Sequence, residues 1–403
     1  MTTARGSVSN AQHHLAAKLL LVDDEPFNLD LLQQELEEFG FEIQQASNGQ
    51  QALDQVASDP PDMIFLDLMM PVMDGFSVLE RLQAHEAWRS IPVVIVSASD
   101  DLANIVRGIE LGASDFLPKP FEPAILRARL DAGLERKRRG DLEKLYRQSL
   151  ERELEIGRQI QAGFLPAQIP EPPGWQLLAH FQAAREVAGD FYDVFEVGPD
   201  RLALMLGDVT DKGVGSALYM ALYRSLLRAH LLSDELSGSG AESACASPEV
   251  CLRGALTVVN RYICRTHDSA MLATVFLAIV DTKSGSLWYA SAGHDSPFLL
   301  KRGAEPQQIL PTGPVVGAIE AAVYNVGNLY LERGDCLVVY SDGIPDARAA
   351  DGEMFGVDRL LGCLQGGQAP TGIHQAVIDA VNQHVGDAER YDDISLLVIG
   401  RQG

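Results

Sequence analysis

Leu19-Leu20-Leu21-Val22-Asp23-Asp24-Glu25 is a short apolar run that ends abruptly on three carboxylates, and Met63-Ile64-Phe65-Leu66-Asp67 repeats the design further along. A continuous apolar run of this length suits a strand buried on both faces. Outward from these two runs, Phe41-Glu42-Ile43, Pro92-Val93-Val94-Ile95-Val96 and Ser114-Asp115-Phe116-Leu117 read as further strands, while Leu29, Leu32, Leu36 and Phe39 recur at helical spacing. Strand and helix alternate, so the stretch predicts an α/β domain of (βα)5 type: a doubly wound parallel sheet with helices on both faces. Ligands of such sheets gather at the carboxyl ends of the strands, which is where Asp23, Asp24 and Asp67 fall.

The chain has 403 residues, 46% of them apolar and 22% charged, enough for two or three domains with real cores. Its net charge of −24 argues against nucleic-acid and anionic-membrane partners, because both would repel it. Cys245, Cys251, Cys264, Cys336 and Cys363 have no Cys-x-x-Cys spacing and are read as reduced thiols of a cytoplasmic protein. No apolar run is long enough to span a bilayer. Residues 1–17 are small and polar and are expected to be disordered. The first domain covers 18–130. Residues 131–165 predict a charged helical linker with an apolar stripe, a candidate coiled coil for a homodimer, interrupted by Gly140 and Gly157. Pro166, Pro170, Pro172 and Pro173 end it and open a second domain over 166–403.

In the first domain, Asp67 beside Asp23 and Asp24 would suffer like-charge repulsion, which a hard divalent cation relieves. Ser97 closes the fourth strand with a hydroxyl and Lys119 follows the fifth. Val22-Asp23-Asp24-Glu25-Pro26, Leu66-Asp67-Leu68-Met69-Met70-Pro71-Val72-Met73-Asp74-Gly75, Ser97-Ala98 and Leu117-Pro118-Lys119-Pro120 occur in this order, and the stretch resembles the CheY-like receiver domain of two-component response regulators. The resemblance implies that Asp67 accepts a phosphoryl group from a sensor histidine kinase. It implies Mg²⁺ on Asp24 and the Met69 carbonyl, Lys119 on the phosphoryl group, and Ser97 with Phe116 as the switch pair.

After Gly174 the strands lengthen and predict antiparallel pairing, with helical blocks near 215–232, 248–266 and 371–385 and a Ser/Gly/Ala-rich loop over 233–247. Strands with segregated helices predict an α/β sandwich. Four aspartates recur at tight turns: Asp190 after Gly189, Asp208 after Gly207, Asp342 before Gly343, and Asp392 beside Asp393. Carboxylates without paired His or Cys are a ligand set for Mg²⁺ or Mn²⁺ rather than Zn²⁺. Two such ions would activate a water and clamp a phosphoryl oxygen for in-line attack.

Gly189-Asp190-Phe191-Tyr192-Asp193, Gly207-Asp208-Val209-Thr210-Asp211-Lys212-Gly213, Ala292-Gly293-His294, Tyr340-Ser341-Asp342-Gly343-Ile344 and Asp392-Asp393-Ile394-Ser395 resemble the PPM family of metal-dependent serine/threonine phosphatases, in its SpoIIE-type bacterial branch. The resemblance implies two Mn²⁺ or Mg²⁺ on Asp190, Asp208, the Val209 carbonyl, Asp342 and Asp392, with Asp393 as a neighbouring ligand. Asp211 departs from the branch, which usually has Gly there, as do Ala188 and Pro345-Asp346. His294 is read as a structural histidine. Together the two halves imply a response regulator whose output is phosphoprotein dephosphorylation, with a substrate such as an anti-sigma-factor antagonist. The alternative is a non-catalytic adaptor that grips a sigma-factor regulator under receiver control.

Overall fold

The computed structural model describes residues 17–37, 39–98, 102–232, 247–266, 271–364 and 368–402. It divides into two compact units with the boundary between Leu150 and Glu151. In the first, β1 (Lys18–Val22), β2 (Glu42–Ala46), β3 (Met63–Asp67), β4 (Val93–Ala98) and β5 (Asp115–Lys119) form a parallel sheet in the order β2-β1-β3-β4-β5. The helices α1 (Pro26–Glu37), α2 (Gly49–Ser58), α3 (Gly75–Ala84) and α4 (Leu102–Glu110) connect successive strands.

Successive strand residues point to opposite faces. Leu20, Val22, Ile64, Leu66 and Ile95 therefore pack with Ala52, Val56, Val78 and Leu79 of α2 and α3, while Leu19, Leu21, Met63, Phe65 and Val94 pack with Leu29, Leu32 and Leu36 of α1. Val22 pairs with Leu66, and Asp67 with Val96. This register brings the ends of β1, β3 and β4 level, at the point where the strand order reverses.

A single helix, α5, runs from Pro123 to Ala162. Its first turns bury Leu126, Leu130 and Leu134, at i, i+4 and i+8, against the sheet of the first unit. Beyond Leu134 the apolar residues Leu142, Leu145, Tyr146, Leu150, Ile156 and Ile160 are exposed. At 100° per residue they share one face of the helix.

In the second unit the strands are β6 (Trp175–Gln182), β7 (Phe191–Glu196), β8 (Arg201–Val209), β9 (Ala273–Asp281), β10 (Ser286–Ala292), β11 (Phe298–Leu300), β12 (Gln307–Gln308), β13 (Gly327–Tyr330), β14 (Cys336–Tyr340) and β15 (Ile394–Arg401). They form two antiparallel sheets, β13-β10-β9-β8-β7 and β12-β11-β14-β15-β6. Leu204, Leu206, Phe276 and Ala278 of the first meet Leu337, Val339, Leu397 and Ile399 of the second in a shared core. The helices α6 (Val214–Leu231) and α7 (Pro248–Thr266) cover the outer face of one sheet, and α8 (Gly356–Cys363) and α9 (Pro370–Val385) that of the other. The result is a four-layer α/β/β/α sandwich. The short strands β11 to β13 and helix α8 were not foreseen, being too brief to carry a period. The expected loop over 233–247 and tail over 1–17 lie almost wholly outside the described residues. Cys264, Cys336 and Cys363 are free, whereas Cys251 is disulfide-bonded, which corrects the expectation of five reduced thiols; a missing Cys-x-x-Cys spacing does not forbid other pairings.

One exposed position stores strain. Val72 has φ of 74° and is 88% exposed, so a β-branched residue holds a left-handed backbone with no packing to offset it. Val72→Asn is expected to raise the stability of the first unit by about 1 kcal/mol in urea unfolding, because Asn tolerates this conformation; a fall in midpoint would contradict the account.

Candidate functional site

Carboxylates collect at strand ends in both units. In the first, ligand oxygens of Asp23, Asp24 and Asp67 all lie within 4.8 Å of one another. Lys119, at the end of β5, places its Nζ 2.7 Å from Asp23 Oδ2 and 2.7 Å from Asp67 Oδ2. The other oxygen of Asp23 accepts from Glu25 N and Asn28 Nδ2, which fixes that carboxylate's orientation. Burial raises the pKa of Asp67 above the ordinary carboxylate value, against the lowering pull of Lys119. Burial also opposes the Lys119 charge, but its hydrogen bonds to Asp23 and Asp67 win and hold the ammonium above its usual pKa. Met69 donates its N–H to Asp67 Oδ1 at 3.2 Å. Ser97 is buried on β4, and Phe116 on β5 pairs with Ile95 and lies 5.8 Å from the Arg129 guanidinium.

In the second unit, both sheets contribute. Phe191 pairs with Gly207, so Asp190, just before β7, lies beside Asp208 on β8. Ser341 N donates to Ser395 O at 3.0 Å, which carries Asp342, after β14, next to the turn that holds Asp392 and Asp393 before β15. Backbone approach here is close. A Cβ on Gly189 would stand 2.8 Å from the Val209 carbonyl oxygen, and one on Gly343 would collide with the Asp393 carbonyl. Asp190 is fully buried; burial, and then the charge of Asp208, push its pKa well up. Burial and neighbouring carboxylates raise Asp208 to about 6 and Asp342 to about 7. Such crowding, with oxygen donors alone, fits hard divalent cations, whose charge would relieve it.

Several residues hold this arrangement, and Ser341, Ser395 and Gln161 among them do not stand out in the sequence as site residues. Ser395 Oγ donates to Asp190 Oδ2 at 2.6 Å, and Ser341 Oγ accepts from Ser395 N and donates to Asp393 O. Asp393 accepts from Ala184 N through one oxygen and from Gly189 N through the other, both at 2.8 Å. Its oxygens are thus engaged in bracing the loop before Asp190. Gln161, near the end of α5, is buried and clamps Ala188 in both directions: Nε2 donates to Ala188 O at 2.6 Å and Oε1 accepts from Ala188 N at 3.0 Å. Only its place in an amphipathic helix was visible beforehand. Asp295 and Asp346 add charge beside Asp342. Lys212 Nζ pairs with Asp392 Oδ2 at 2.7 Å, hydrogen-bonds the Tyr391 carbonyl and lies 4.4 Å from the centre of the Tyr391 ring. Asp211, where the branch usually has Gly, has φ of 76° and so occupies a left-handed conformation that glycine adopts without strain. His294 is buried and held neutral, its pKa lowered to about 3 by burial, with Nδ1 2.9 Å from Thr274 Oγ1.

Residues 198–402, just over half of the chain, match the family model of Stage II sporulation protein E (SpoIIE), and residues 19–131 match the response regulator receiver domain. Protein IcfG of Synechocystis sp. is 37% identical over 262 residues, which are 62% of this chain and 41% of that protein. Response regulator PleD of Caulobacter vibrioides is 43% identical over 116 residues, 29% of this chain and 26% of its own length. The chain thus spans less than half the length of these relatives. The SiaA-PP2C domain of Pseudomonas aeruginosa shares the fold, with a TM-score of 0.51 at 22% identity over 63% of this chain and 97% of that domain. Carboxylates drawn from both sheets of an α/β/β/α sandwich, downstream of a receiver fold, agree with these matches: the chain belongs to the SpoIIE family and carries a response-regulator receiver domain.

Proposed function

We propose that phosphorylation of Asp67 by a sensor histidine kinase controls the dephosphorylation of a phosphoserine or phosphothreonine protein, such as an anti-sigma-factor antagonist, at the Asp190–Asp208–Asp342–Asp392 centre. The observation that carries the control is the Gln161 clamp. α5 is anchored by Leu126, Leu130 and Leu134 in the receiver core and ends by gripping Ala188, two residues before Asp190. A turn or shift of the helix would therefore act on the backbone that carries a metal-facing carboxylate. The exposed stripe from Leu142 to Ile160 supports pairing of this helix with its copy in a homodimer.

In this reading Asp23, Asp24, Asp67 and the Met69 carbonyl hold Mg²⁺ in the receiver, where Lys119 takes the phosphoryl charge and Ser97 and Phe116 respond to it. In the phosphatase, Asp190, Asp208, the Val209 carbonyl, Asp342 and Asp392 hold two Mn²⁺ or Mg²⁺, while Asp393 and Ser395 orient them. The cations supply Lewis-acid activation of water and of the phosphoryl group. The chain's own part is to exclude alternative geometries: Ser395 fixes the Asp190 oxygen, and Asp393 locks the loop before it. An adaptor role would leave this conjunction of crowded carboxylates without a use.

Hydrolysis of a phosphoserine protein is expected to require Mn²⁺ or Mg²⁺, and Asp190→Asn or Asp342→Asn should lower kcat/KM at least about 100-fold with the fold retained by circular dichroism, since a cation supplies several kcal/mol. Metal-independent binding of partners with no turnover would instead favour the adaptor. Gln161→Ala should cost about 1–3 kcal/mol in stability, the range for leaving buried backbone groups unpaired. It should also bring the ratio of turnover with and without a small phosphodonor close to one; an unchanged ratio contradicts the coupling.

The raised carboxyls set a pH dependence. Without metal, the native state holds protons on Asp190, Asp208 and Asp342 that the unfolded chain has lost, so stability falls as pH rises from about 4 through about 7. Cations compete with those protons, so the gain in Tm on adding Mn²⁺ should be larger at pH 8 than at pH 5.5. An equal gain at both values would contradict the clustering.

A further inference from the structure

Beside Asp392 lies a cleft of about 770 Å³, lined among others by Arg185, Glu186, Lys212, Glu389, Arg390 and Tyr391. Its wall at the carboxylate centre is Tyr391, whose ring gathers two cations: Lys212 Nζ at 4.4 Å and the Arg348 guanidinium at 3.8 Å from the ring centre. Two cations on one ring repel each other, and an anion nearby offsets that repulsion. Lys212 has one, the Asp392 carboxylate at 2.7 Å.

The charge balance of the centre gives this pair a purpose. Asp190, Asp208, Asp342 and Asp392 carry four negative charges when ionised, which two divalent cations would match. Asp295, Asp346 and Asp393 remain close by. An incoming phosphoryl dianion would then meet net negative surroundings, and fixed cations at the rim are needed to hold it. A cation taking up Asp392 would also release Lys212 from its ion pair, while the Tyr391 carbonyl and ring keep the ammonium in place.

We propose that Lys212, which lines this cleft, and Arg348, which shares the Tyr391 ring with it, form the phosphoryl-recognition element of the phosphatase, with Lys212 exchanging Asp392 for the substrate's phosphoryl oxygens, and that the cleft receives the chain flanking the phosphorylated residue. The inference rests on the assignment of Asp392 to the metal centre. It makes Lys212 a rival of metal for Asp392, whereas a Lys212 that merely pinned the 391–392 turn would support metal binding.

Calorimetric titration of the full chain separates the two. Inorganic phosphate serves as the probe of the Mn²⁺-loaded protein, and Mn²⁺ alone as the probe of the metal-free protein. Lys212→Gln should bind phosphate at least about tenfold more weakly, the loss of one charge-assisted contact, while binding Mn²⁺ as tightly as the parent or more so. Lys212→Arg should restore phosphate binding to within a few-fold, and Arg348→Gln should weaken it independently. Unchanged phosphate affinity in Lys212→Gln, or weaker Mn²⁺ binding there, overturns the proposal. If the unaltered chain binds no Mn²⁺ beyond the one ion that the Asp23–Asp24–Asp67 cluster would take, it is the metal-centre assignment that fails.

Discussion

Like-charge repulsion between carboxylates is the constraint around which both units are arranged. Elsewhere in the molecule the strands are filled with apolar side chains, and burial of each contributes on the order of 1.5–3 kcal/mol. That surplus is what allows Asp190 to be fully buried, with its pKa driven well up by burial and by Asp208. In the receiver, the same problem at Asp23 and Asp67 is met by one lysine, Lys119, with 2.7 Å contacts to both. In the second unit, Lys212 partly meets it at Asp392 alone. The remaining charge would suit cations, and the backbone approaches closely there: glycines at 189 and 343 leave room for the Val209 and Asp393 carbonyls.

Much of the fold was legible because its signals are strong. The apolar runs at Leu19–Val22 and Met63–Leu66 suit doubly buried parallel strands, which is how they pair, and both end at aspartates. The paired elements of the sandwich were likewise long enough to carry their period. The short strands β11 to β13 were not, since two to four residues give no alternation to read. Candidate ligands were visible because Asp beside Gly marks a tight turn. The residues that position them were not: Gln161 looks like any polar helical residue, and Ser395 like any strand serine. Their roles depend on long-range pairing, across 27 residues for Gln161 and Ala188 and 205 for Ser395 and Asp190. Asp393 was legible as an acid but not as a brace, because that depends on the N–H groups of Ala184 and Gly189.

The linker joins these two chemistries through one continuous element. Its first turns have a buried face, its middle carries an exposed apolar stripe, and its end is pinned by a two-way hydrogen bond to the backbone beside Asp190. Under the proposed control, a helix so held would convey a change at the receiver by moving against one of its anchors. Gln161 is the finer of the two, because losing its geometry leaves buried N–H and C=O groups unpaired.

The most direct test of this account is the affinity of the Asp190–Asp208–Asp342–Asp392 cluster for Mn²⁺ in the full chain, measured by titration before and after a small phosphodonor loads Asp67. The account predicts a several-fold change in that affinity in the parent protein and none in Asp67→Ala. The same affinity in every state, with Asp67 demonstrably phosphorylated, would contradict it.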